Sequence, residues 1–202
     1  MRAQRRVGRG TGSPGCRASV TLENVRPDLD YWLPEFGIRV AHRRESSASP
    51  GRLWDAARQV RLADAGMLGR LVRWRIPGMP AAISFEEMFR RPPFVALTDD
   101  TDHASVSGLV GRIWTLRRDY PELCGPEEFR RWSEAGTARV LFASWVEPAD
   151  RGASAALASE VRVQAVGAQG RLGVAAIRPL TAAFQGLIGT EGIAAAVARA
   201  ER

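Results

Sequence analysis

Glu160 and Arg162 stand two residues apart in "ASEVRVQAV", residues 158–166, where apolar and polar side chains alternate. On a strand such spacing puts both on one face, roughly 7 Å apart along the chain. Leu157, Val161 and Val163 fall on the opposite face and read as the buried set, so the pair is expected to face solvent. Turned into a cavity instead, it would be the strongest functional lead in the chain, because breaking a buried pair costs about 3 to 5 kcal/mol.

The two histidines are the other natural acid-base groups near neutral pH. His42 ends an alternating run beside Arg43 and Arg44, and His103 follows "DDTD"; both positions predict solvated side chains rather than catalytic ones. Asp99, Asp100 and Asp102 read as turn residues, not metal ligands. Arg75, just before "IP", is suited either to a ligand carboxylate or to a salt bridge. All 29 basic residues are arginine, which excludes mechanisms that need a Schiff-base or phosphate-loop lysine. Neither a Ser/His/Asp spacing nor an HExxH or paired-cysteine motif occurs, and "GRGTGSPG" lacks the preceding strand of a phosphate loop. The residues therefore call for no metal and no cofactor.

A formal charge of +7 first suggests an anionic partner. Five of those charges, however, are Arg2, Arg5, Arg6, Arg9 and Arg17, and the remainder is nearly balanced. The six tryptophans form no basic-aromatic ladder, so no specific nucleic-acid partner is expected. Cys16 and Cys124 are too sparse for a disulfide framework. No apolar run follows Arg5 and Arg6 as an export signal requires, and no stretch of 18 apolar residues could span a bilayer. Taken together, these features predict a cytoplasmic protein.

The elements that must carry these residues follow from periodicity. Residues 1–30 are rich in Gly, Arg and Ser and are expected to be a disordered tail ahead of one domain over residues 31–202. "FGIRVAH" predicts a first strand. "SPGRLWDAARQV" predicts a helix with Ser49 as N-cap and Pro50 at its first position, and "AGMLGRLVRWR" a second one capped by Asp64 and stopping before Pro77. "PFVALTDD" and "ASVSGLVGRIWTL" read as a hairpin, "GPEEFRRW" as a short helix, and "TARVLFASWVEP" and "AALASEVRVQAV" as two long strands. The C-terminal stretch has helical spacing, with a kink or break at Pro179 and another break near Thr190.

Strand, two short helices, antiparallel strands and a final helix is an order that resembles the START-like, polyketide-cyclase-like superfamily (SRPBCC). Within it, the segments "SASPGRLWDA", "GLVGRIW", "EEFRRWSEAGTARV", "LASEVRV" and "LIGTEGIAAAVARAE" look like a small actinobacterial-type branch. The chain departs from that branch at Ser159 and Val161, where hydroxyl-bearing threonines are usual, and at "LGVAAI", which replaces an aromatic start of the last helix. The resemblance implies an α+β helix-grip fold, with about six or seven strands curved around a long C-terminal helix and two short helices after the first strand.

Such a fold implies a cavity between sheet and last helix. Strand parity then nominates Val140, Phe142, Ser144 and Val146 as its lining, with Leu180, Phe184 and Ile188 from the helix, and Glu160 and Arg162 if strand curvature turns them inward. The same residues equally describe a filled core. The leading expectation is a carrier or sensor of a small hydrophobic molecule such as a lipid. A cofactor-independent cyclase or dehydratase, with Glu160 or a histidine as acid-base group, is the alternative enzyme reading. An interaction protein with a filled core and basic tail is the third. Oligomeric state is not encoded in any motif.

Overall fold

The computed structural model describes residues 26–98, 103–117, 120–150, 152–187 and 191–202, with the backbone alone for 180–187. Its architecture is α+β, built on a five-stranded, fully antiparallel sheet that does not close on itself. The strands are β1 (Ile38–Ser46), β2 (Val95–Ala96), β3 (Ala104–Gly111), β4 (Thr137–Glu147) and β5 (Ala155–Val166), in the spatial order β1-β5-β4-β3-β2. Five strands among the described residues replace the six or seven expected.

Local chemistry explains most element starts. Asp28 caps helix α1 (Leu29–Trp32), its Oδ1 accepting from the backbone N–H groups of Asp30 and Tyr31 at 3.1 Å. The expected tail boundary at residue 30 therefore falls inside an ordered helix; residues 1–25 lie outside the described residues. Pro50 opens α2 (Pro50–Arg58), as its fixed φ favours. Asp64 caps no α-helix: it sits in a 3-10 turn, Leu62–Ala65, bonded back to Arg61, and α3 (Gly66–Arg75) follows. Ser84 and Glu87 form a reciprocal capping box on α4 (Phe85–Phe89), a third helix after β1.

Helix α5 (Pro126–Arg131) has Glu127 and Glu128 in its first turn, where they complement the helix dipole. The C-terminal segment forms two helices, α6 (Gly167–Leu187) and α7 (Ile193–Ala200). Pro179 lies within α6 and does not end it. Residues 188–190, where a break near Thr190 is expected, lie outside the described residues, with α6 and α7 on either side of them.

Both faces of the sheet are covered. One face, with Val40, Val140, Val146, Leu157 and Val163, packs under α2, α4, α6 and α7. The other, with Val106, Val110, Leu141 and Trp145, is closed by Leu29 and Leu33 from the N-terminal segment and by Phe129 of α5. Phe129 sits so close over the strands that a Cβ on Gly108 would lie 2.6 Å from its ring.

Candidate functional site

Glu160 and Arg162 lie on the second face, beneath the N-terminal segment, and are 1% and 5% exposed. The expected solvated pair is therefore a buried one. Alternation correctly separates the two faces, but it cannot show that a segment more than a hundred residues earlier covers the polar one. In the β1·β5 register Arg39 stands directly opposite Arg162, an unfavourable like-charge pairing by itself. Glu160 resolves it by bridging both. Arg39 donates from Nε and Nη2 to Oε1 and Oε2 at 3.0 and 2.9 Å, and Arg162 donates from Nε to Oε1 at 2.7 Å.

Arg162 Nη1 also donates to the Asp30 carboxylate and to the Leu33 carbonyl, the latter at 3.0 Å. Phe36 lies against its guanidinium, 4.7 Å from ring centroid to Cζ, and Arg26 approaches Glu160 at 3.6 Å. Burial works against the Glu160 carboxylate, but the hydrogen bonds from Arg39 and Arg162 outweigh it and hold its carboxyl below the ordinary 4.5. Burial likewise opposes the Arg162 charge, and the bonds to Glu160 and Asp30 override it. With its carboxylate oxygens engaged and the N-terminal segment packed above, this cluster is a clamp between chain start and sheet.

The cavity lies on the other face. It is a partly open cavity of about 320 Å³ between the sheet and helices α2, α3, α4 and α7. Phe142 and Ser144 line it, as parity predicts; Val140 and Val146 do not, being packed into the adjoining core at 4% and 0% exposure. The side chains of Leu180 and Phe184 and the whole of Ile188 lie outside the described residues. Among the described residues the helical wall is formed by Ile193 and Ala196 of α7, with Trp54 from α2 and Val72 from α3.

Aromatic side chains dominate one end. Phe89 and Phe142 have ring centroids 5.3 Å apart, and Phe94 meets both edge to face at 5.1 and 5.6 Å. Phe85 and Phe89 were not singled out by helical periodicity, because α4 is only five residues long. The capping-box spacing of Ser84 and Glu87 is the sequence signal that marks them. Ser105, Ser144 and Ser159 supply hydroxyls on the sheet side.

Ionisable groups at the wall are already engaged. Glu86 pairs with Arg58 and Arg90 at 3.6 and 3.5 Å. Arg75 donates to the Ile113 carbonyl at 3.4 Å and lies over the Tyr120 ring at 4.9 Å. His103 sits in the turn before β3, its carbonyl accepting from the Val146 N–H at 2.9 Å, and Asp99, Asp100 and Asp102 lie outside the described residues. Cys124 is free and exposed. A second concavity, near 610 Å³ and open to solvent, runs along α5, where Glu127 is paired with Arg130 and Arg131. Its walls are charged and solvated, so the deeper, apolar cavity is the better site. Among the described residues no helix is long and apolar enough to cross a membrane. No protein-family model matches the chain, and no curated protein matches it.

Proposed function

We propose that the chain binds a small hydrophobic molecule in the cavity between the sheet and helices α2, α3, α4 and α7, and serves as a carrier or sensor in the cytoplasm. The observation that carries this reading is an unfilled space of about 320 Å³ walled by Phe89, Phe94 and Phe142 inside an otherwise packed domain. Ligand pockets of roughly 300 to 1,000 Å³ with mostly apolar walls are the usual size and character. The helix-grip resemblance of the sequence supports the same assignment, with α7 as the described part of the C-terminal helical wall. An enzymatic cyclase or dehydratase reading loses its leading group, since Glu160 lies across the sheet from the cavity and is held by three guanidinium groups.

The test is native mass spectrometry of the full chain purified from a cell extract, followed by solvent extraction of any bound molecule and a thermal-shift screen of neutral lipophilic compounds. A ligand at a hundred times its Kd stabilises by about 2.7 kcal/mol, which is about 5 to 10 °C in Tm for a chain of this size. An empty spectrum with no shift across the screen rejects the binding reading.

A further inference from the structure

On the cavity face, the register of four neighbouring strands places Ser105 opposite Ser144, Ser144 opposite Ser159, and Ser159 opposite His42. Directly paired residues share a face, and strands lie about 4.8 Å apart, so these side chains form one row about 14 Å long. The three serines line the cavity, and none of their hydroxyls is held by another described group. Along β4 and β5 the same-face neighbours of Ser144 and Ser159 are Phe142, Val146, Leu157 and Val161, all apolar. The three serines are half-buried and open to the cavity, so a ligand that covers their hydroxyls without bonding to them leaves a costly unpaired group.

A second observation concerns the helical side of the cavity. The buried side-chain nitrogens without a hydrogen-bond partner among the described residues are His42 Nε2, Trp54 Nε1 and Arg58 Nε. His42 completes the row, and Trp54 and Arg58 line the cavity from α2. The indole and guanidinium nitrogens can only donate, and each serine can donate as well. Native structures satisfy nearly all such groups, so an excess of donors concentrated at one cavity calls for acceptors from outside the chain. Charged acceptors fit poorly, because the arginines at this wall are already paired with Glu86 and Asp55 or stacked on Tyr120.

We propose that the cavity selects neutral lipophilic molecules carrying hydrogen-bond-accepting oxygen, such as ketones, esters or ethers, which lie with that oxygen against the row formed by Ser105, Ser144 and Ser159. This assignment rests on the binding reading above and adds the chemical class of the ligand.

The experiment compares two probes on the full chain by fluorescence titration: the neutral naphthyl ketone prodan, and its counterpart with the carbonyl reduced to methylene. The ketone binds about fivefold more tightly, the ratio expected of one neutral hydrogen bond in a protein site. Ser144→Ala abolishes that preference, weakening the ketone more than the reduced probe. Trp54→Phe, which removes the N–H and retains an aromatic ring, gives an independent variant, as do Ser105→Ala and Ser159→Ala. Equal affinity of the wild-type chain for both probes, or a preference that survives the serine substitutions in folded protein, overturns the proposal while leaving the binding reading intact. If neither probe binds, the binding reading fails and this one with it.

Discussion

Replacing Glu160 by Gln tests the clamp between the chain start and the sheet. The substitution keeps the side-chain shape and one acceptor oxygen but removes the charge that separates Arg39 from Arg162. Losing one partner of a buried ion pair costs about 3 to 5 kcal/mol. The lower end applies here, for Arg162 keeps Asp30 and the Leu33 carbonyl, and Arg39, 48% exposed, can turn toward water. A loss of about 3 kcal/mol lowers Tm by about 6 to 12 °C at neutral pH. The pH dependence has a definite sign. The Glu160 carboxyl is held below its ordinary 4.5 in the folded chain, so its stabilisation is fully present above that value and is lost as pH falls through the folded value. Wild type and E160Q should therefore differ most near neutrality and converge in acid. Urea titrations across that range, with circular dichroism as readout, measure both quantities. No measurable difference at neutral pH, or a gap that persists unchanged into acid, would refute the assigned role of the carboxylate.

Other perturbations probe the same architecture. Glu160→Leu combined with Arg162→Met should regain most of the E160Q loss in urea titrations, because the remaining partners, Asp30, Arg26 and Arg39, are 74%, 58% and 48% exposed and can be solvated. A chain beginning at Pro34 lacks Leu29, Leu33 and Asp30 and should melt well below one beginning at Arg26, as differential scanning fluorimetry would record. Gly108→Ala drives a methyl group into the fully buried Phe129 ring and should cost about 1 to 3 kcal/mol in chemical denaturation. Val161→Phe places a ring at the cavity wall and should weaken binding of neutral lipophilic probes, measured by the same fluorescence titration, with a smaller effect on Tm.

Local residue patterns suffice to place the long strands and to separate their two faces. Alternation in "TARVLFASWVEP" and "AALASEVRVQAV" gave β4 and β5 almost to the residue, and Pro50 and Pro126 marked two helix starts through a fixed φ and a dispensable N–H. These signals are local, so one segment suffices to read them. Parity also put Phe142 and Ser144 on the cavity face. The environment of each face, in contrast, comes from long-range packing. Alternation separates Glu160 and Arg162 from Val161 and Val163, yet their burial depends on Leu29, Leu33 and Asp30, whose approach is a long-range contact that no period encodes. The serine row has the same origin: Ser105, Ser144 and Ser159 lie far apart in sequence, and it is strand register, fixed by hydrogen bonding across the sheet, that sets them side by side under one cavity.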